Sequence, residues 1–482
     1  MEPEGPPARA FLGRCVDAPG LGEVRGLAER SLVVVGKDGR IQVVIRGDGP
    51  ELSARLVALK EATVPVRELG DREFLVPGFV DTHIHLPQFP YAGTGIDKPL
   101  MADDGFLAKY AFPTERSMAD VEQATAVYKQ GIDQLLRHGT TTALIYASAH
   151  LEASKALVDT AIQRGGPRCC VGKVCMDRHC PDGYVEDIAE SLRDARAFIE
   201  YTQARAREGP AQPPYLVQPV VTPRFLPTCT QELLRGLGEL AAKYNCMVQS
   251  HMSESCDEIA FSSSLFPGKS DAEVFSECGL LRPPSIMGHC VHLMPGEEEL
   301  LRRHGAAIAH CPLSNFFFAK EALPVKQLVH RGVKVGLGTD IAGGYSPSML
   351  NAMRTAVLAS KTLQFRRAPG SLLDGCSGRH SGADEADLRE AHDLSHFDAL
   401  FLATQGGASA LGLGEALGTF DIGKAFDALV LSPDPTVPSY VGGTAEGPED
   451  VLQKILTLGD DRNVHEVYVD GVRLCPLPSG GS

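Results

Sequence analysis

Two histidines one residue apart, His83 and His85, close the run FVDTHIH at 79–85. In a strand, residues two apart project from the same face, so both imidazoles can reach one cation. Three further apolar runs end in the same manner: CMVQSH at His251, SIMGH at His289 and VKVGLGTD at Asp340. Each of these, taken alone, reads more readily as a core or loop residue than as a ligand. Taken together, several imidazoles and one carboxylate make a donor set suited to zinc or iron, with a position left for water. Glu254 follows His251 by three residues in HMSE. By itself it is an ordinary helix-start glutamate; beside a metal-activated water it becomes a proton shuttle. His310 ends the run AAIAH, and it is expected to line the pocket or brace Asp340 rather than to bind metal. Lys173 falls inside its run instead of at a strand end, which favours one metal over a lysine-bridged pair. The chain has neither an H-x-E with a later P-C-x-x-C nor an H-E-x-x-H helix, so Cys175 and Cys180 read as structural.

The elements that must position these groups are short apolar runs alternating with helical stretches. Candidate strands fall at 79–85, 141–146, 168–175, 215–223, 246–251, 285–289, 306–310 and 333–340. Helical patterns lie between them, for example 118–139 and 230–245, the latter opened by a capping threonine. Alternation of this kind predicts a parallel sheet, and eight such units predict an α/β fold of the (β/α)8 TIM-like barrel type. A barrel brings all strand C-termini to one face, which is where His83, His85, His251, His289 and Asp340 stand. No G-x-G-x-x-G or P-loop supports a nucleotide-binding open sheet. Both ends of the chain are β-rich: SLVVVGKDGRIQVVI (31–45) reads as a hairpin, and FDALVLSP with VHEVYVDGVRL (426–433, 464–474) as further strands. The expected organisation is a composite smaller β-sandwich domain from residues 1–75 and 409–482 beside a barrel at 76–408. The Gly-, Ser- and charge-rich stretch 366–393 reads as a surface loop.

Of 482 residues, 43% are hydrophobic and 22% charged, the usage of a folded globular protein. Net charge is −15, which repels phosphate backbones and anionic lipid, so no nucleic acid or membrane partner is expected. The start MEPEGPPARA lacks a secretory pattern and no run of 18 apolar residues occurs, so the cytoplasm is the expected location. Thirteen scattered cysteines, an odd number, read as reduced thiols.

The stretches PGFVDTHIHLPQF, VGKVCMD, VTPRF, QSHMSE, GHCVHL, AHCPLSN, GLGTDIAGGYSPSML and LGDDRNVHEVYVDG resemble the amidohydrolase superfamily, and within it the branch that deaminates guanine. The resemblance implies one zinc ion per chain, held by His83, His85, His251 and Asp340. It implies that His289 holds the bound water or the reacting group, and that Gln88, Arg224 and Phe225 hold the purine. Glu254 would pass a proton to a ring nitrogen, and His85, His251, Glu254 and Asp340 would also border the substrate. Arg224 offers only donors, which suits the O6 and N7 acceptors of guanine and disfavours the exocyclic amine of adenine. Family members are commonly homodimers, so a homodimer is expected. Departures include Leu313 in AHCPLSN and Cys290 in GHCVHL, neither of which removes a ligand. The alternatives are a related amidohydrolase acting on another aminated ring and an inactive scaffold.

Overall fold

The computed structural model describes residues 7–208, 215–365, 392–433 and 446–475. The N-terminal strands are β1 (Pro7–Cys15), β2 (Ser31–Gly36), β3 (Ile41–Arg46), β4 (Val66–Glu68) and β5 (Phe74–Pro77). As expected, 31–46 is a hairpin, with β2 antiparallel to β3 around a turn in which Gly39 takes φ 76°. Strands β6 (Phe79–His85), β7 (Thr140–Tyr146), β8 (Arg168–Gly172), β9 (Val174–Cys175), β10 (Val217–Pro223), β11 (Met247–Met252), β12 (Ser285–His289), β13 (Ala307–His310) and β14 (Lys334–Leu337) follow. Near the C-terminus come β15 (Ala428–Leu431), β16 (Val464–Val469) and β17 (Val472–Cys475).

Eight strands, from β6 to β8 and β10 to β14, form one parallel sheet in chain order. Its ends are joined through the residues just past β14: Asp340 N–H donates to His83 O and His85 N–H to Ile341 O, both at 2.8 Å. The barrel predicted from eight β/α units is thus present and nearly closed. The run RCCVGKVC is broken at Lys173, whose ammonium pairs with Glu186 at 2.5 Å and donates to Val174 O at 3.2 Å. Helix Val121–Arg137 begins at Asp120, whose carboxylate caps Glu122 N and Gln123 N, and helix Gln231–Tyr244 begins at Thr230, which caps Leu233 N.

Strands from both chain ends form the second sheet, in the order β17-β16-β15-β5-β1-β2-β3 with β4 beside β1. Period-two alternation explains why β5 and β15 are apolar on both faces. Phe74, Val76, Leu429 and Leu431 pack into the main core with the barrel helices, whereas Leu75, Ala428 and Val430 join Phe11, Val33 and Phe426 in a separate core. A buried ion pair ties the two bodies together: Arg168 of β8 donates to Asp427 at 2.7 and 3.1 Å and meets Asp470 at 2.6 Å. The stretch 366–393 lies, but for its last two residues, outside the described residues. Among the described residues no helix is long and apolar enough to cross a membrane.

Candidate metal centre and substrate cleft

The C-terminal ends of the barrel strands carry the candidates to one point. His83 and His85 close β6, His251 lies in β11, His289 ends β12, and Asp340 follows β14 by three residues. Left-handed backbone at Ser253, His289, Cys290 and Asp340 turns the chain sharply there, at φ between 49° and 67°. Such conformations are strained for side chains with a Cβ and are characteristic of functional sites. Here they are held by bonds such as Asp340 N–H to His83 O and Cys290 N–H to Met252 O at 2.9 Å. Close approach explains two glycines. A Cβ at Gly288 would meet His83 Cε1 at 2.7 Å, and one at Gly338 would meet His83 Cβ and Cys311 Sγ at 2.8 Å.

The donor atoms converge. His83 Nε2 is 3.4 Å and His85 Nε2 3.6 Å from Asp340 Oδ1, and His85 Nε2 is 3.0 Å from His251 Nε2. Ligands about 2.0–2.1 Å from a tetrahedral zinc stand about 3.3 Å apart along the edges, so these separations suit one ion. Outer partners orient the rings. The Arg224 carbonyl can only accept, so His251 Nδ1, 2.6 Å away, carries the proton and leaves Nε2 as a lone pair. His289 Nδ1 likewise faces Asn315 Oδ1 at 3.0 Å, while its Nε2 and that of His83 are buried without hydrogen-bond partners. Burial, with neighbouring imidazoles adding to it, pushes His83, His85 and His251 well below ordinary imidazole pKa values. Neutral rings with inward lone pairs and one adjacent carboxylate therefore fit a divalent cation. Asp81 braces the arrangement, accepting from His83 N at 3.1 Å, Thr339 N at 3.1 Å and Thr339 Oγ1 at 2.5 Å.

His289 Nε2 is 3.6 Å from Glu254 Oε2 and 3.9 Å from Asp340 Oδ2. Burial first, and then the charge of Asp340, raises the Glu254 pKa well above the usual carboxylate range. A carboxyl that holds its proton to higher pH than an exposed one is suited to act as an acid. Glu254, His85, His251, His289 and Asp340 border a cleft with about 380 Å³ of open space, shared with Gln88, Arg224 and Phe225. Leu100, Phe106 and Phe318 line its apolar side, so convergent polar groups face an apolar wall, as small-molecule sites require. All nine candidate residues are thus near one another.

His310 does not brace Asp340. Its Nδ1 stands 3.5 Å from Asn315 Nδ2, and it is not among the residues lining the cleft. Four contributors escaped the sequence reading. Tyr146, at the end of β7, stacks on His85 at 4.5 Å; its strand-end position was the signal available. Asn315 orients His289, Cys311 Sγ falls within reach of His83 and Asp340, and Glu115 binds Arg224 at 2.5 Å. Cys311 and Asn315 lie in the stretch AHCPLSN, where the resemblance was the signal available, whereas nothing in the local pattern marks Glu115.

This fold and donor set define a metal-dependent hydrolase barrel, and residues 74–474 match the amidohydrolase family. The chain belongs to that family. It is 40% identical to guanine deaminase of Dictyostelium discoideum over 85% of this chain and 84% of that protein. It is 34% identical to guanine deaminase of Escherichia coli K12 over 85% and 84%. The solved guanine deaminase of C. acetobutylicum, with guanine bound in its active site, superposes with a TM-score of 0.81 at 30% identity, covering 96% of this chain and 99% of that one.

Proposed function

We propose that the protein hydrolyses guanine to xanthine and ammonia with one zinc ion per chain held by His83, His85, His251 and Asp340. The observation that carries this reading is that the imidazole–carboxylate cluster opens into the same cleft as Arg224, Gln88 and Phe225. Its likeness to proteins named guanine deaminase supports the choice of base. When bound, zinc supplies Lewis acidity, bringing the pKa of a water toward about 7 so that it is a nucleophile at neutral pH. Arg224 directs donors to the 6-oxo and N7 acceptors, Gln88 adds an amide contact, and Phe225 packs against the ring. As water adds at C2, Asp340 takes one of its protons and Glu254 delivers its own to the adjacent ring nitrogen. His289, with Nε2 free beside both carboxyls, holds the added oxygen in place. Asp340 then returns its proton to the exocyclic nitrogen, the C2–N bond breaks to release ammonia, and the hydroxyl on C2 gives its proton back to Glu254, leaving the new oxygen as the 2-oxo group of xanthine.

The same reading includes a cytoplasmic homodimer. The eleven cysteines described with their side chains are all unpaired, which suits a reducing compartment. The test is the ultraviolet absorbance of purified protein with guanine, against adenine and cytosine, with ammonia and metal measured on the same sample. Guanine loss with about one zinc per chain is expected, and Glu254→Gln should lower kcat by about 100-fold or more while zinc content holds. A zinc-loaded protein inert toward guanine would overturn the proposal.

A further inference from the structure

Glu115 sits in the short helix Phe112–Ser117 and is fully buried, yet it does not line the cleft. Its carboxylate gathers three side chains. Gln88 Nε2 donates to Oε1 at 2.7 Å; the Tyr184 hydroxyl and Arg224 Nη1 donate to Oε2 at 2.7 and 2.5 Å. Gln88 and Arg224 are the residues that, on the reading above, hold the purine. A carboxylate only accepts, so Gln88 must turn its NH2 group toward Glu115. Its carbonyl then receives Ala342 N–H at 3.1 Å. Both ends of the amide are thereby fixed, and a flip would set oxygen against oxygen at one end and N–H against N–H at the other. The Arg224 guanidinium is held on its other side by the Phe112 ring, 5.0 Å below it. One arm is committed to Glu115, and the remaining N–H groups are what a ligand can meet.

We propose that Glu115 is the positioning residue that sets the donor pattern facing the 6-oxo edge of the base, and so determines specificity without touching substrate. The proposal rests on the guanine reading. Guanidinium and amide side chains are mobile when unanchored, and a site pre-set with donors rejects a ligand lacking the matching acceptor far better than one that must be ordered on binding. A carboxylate serving stability alone would favour no particular edge of the base.

The experiment measures dissociation constants of the zinc-loaded protein for hypoxanthine, which keeps O6 and N7 but has no amine to lose, and for purine, which lacks O6. Wild type should prefer hypoxanthine. Glu115→Gln should weaken hypoxanthine by about 100-fold and purine by less than about threefold, erasing the preference. Glu115→Asp keeps Arg224 paired but withdraws the oxygens by one methylene; it should show a smaller loss with the same selectivity, and it decides the matter if the glutamine variant does not fold. Equal weakening of both ligands in a folded variant, or no weakening, overturns the assignment. Guanine turnover by wild type is measured alongside: an active wild type whose folded variants weaken both ligands equally, or neither, sinks this assignment alone, whereas an inert wild type sinks the guanine reading and this inference with it.

Discussion

Replacing Gly288 with alanine places a Cβ 2.7 Å from Cε1 and 2.9 Å from Nδ1 of His83. Carbon atoms rest at about 3.5–4.0 Å, so one group must move by about 1 Å. The His83 backbone is pinned by Asp340 N–H on its carbonyl at 2.8 Å and by its own N–H on Asp81 at 3.1 Å. Retreat of the ring is blocked as well, with Tyr146, His251 and His289 ring centroids 4.8–5.1 Å away. Zinc–nitrogen bonds tolerate about 0.2 Å, so a shift of that size removes His83 from any shared coordination sphere. Zinc affinity should fall by at least about 100-fold, the upper end of what loss of an orienting partner costs, since here a ligand itself is displaced. Overpacking should cost about 1–3 kcal/mol of stability, enough to lower Tm but not to unfold the barrel. Competition with a chromogenic chelator reads affinity, and circular dichroism confirms the fold. Gly49, where a Cβ meets nothing within 4 Å, supplies the control. Wild-type zinc affinity in folded Gly288→Ala would refute the placement of His83 as a ligand.

Arg168→Met should destabilise the protein by about 3–5 kcal/mol in urea denaturation, because it leaves Asp427 and Asp470 without their buried cation; a loss under about 1 kcal/mol would show that the ion pair does not join the two bodies. Asp271, buried and accepting from Ser253 N, has its pKa raised from 3.8 to about 6 by burial and then by Glu297. The folded state therefore holds this proton more tightly than the unfolded chain, so the contribution is complete below pH 3.8 and is lost as pH rises through about 6. At about 1.4 kcal/mol per pKa unit this amounts to about 3 kcal/mol, and Asp271→Asn should flatten the fall in urea midpoint over that window; parallel curves for variant and wild type would refute it. Stripping zinc should lower Tm, and adding it back at about 100 times its Kd should restore about 2.7 kcal/mol of stability; an unchanged Tm would mean the cluster holds no structural ion.

What the sequence made legible follows from periodicity. Each barrel strand is buried on both faces, so it reads as an apolar run, and a polar residue ending such a run stands out. His83, His85, His251, His289 and Asp340 were visible for that reason, and the rule that barrel sites gather at strand C-termini supplied their common address. The rule covers only what strands carry. Glu115 is on a six-residue helix, and Asn315 begins a π-helical turn. Each matters because of a partner far away in the chain, Arg224 at a separation of 109 residues and His289 at 26. Such pairings leave no trace in local hydrophobic pattern, since a buried carboxylate and an exposed one look alike in sequence.

The same division explains how the site can separate chemistry from selectivity. Ligands at the C-terminal ends of the barrel strands are fixed by ladder hydrogen bonds and by buried braces such as Asp81, so the geometry around a cation is set by the barrel itself. The groups that would read the base come from different ground: Gln88 from the turn after β6, Arg224 from the end of β10, and Glu115 from a helix in the loop between β6 and β7. A change of substrate therefore needs the side chains around Glu115 to rearrange while the Arg224 carbonyl that orients His251 keeps its place, leaving His83, His85, His251 and Asp340 undisturbed. Zinc affinity and base preference should accordingly respond to separate sets of substitutions, Gly288→Ala moving the first and Glu115→Gln the second. Coupling between them, measured as a non-additive double variant, would mean that loop and barrel do not divide the work in this way.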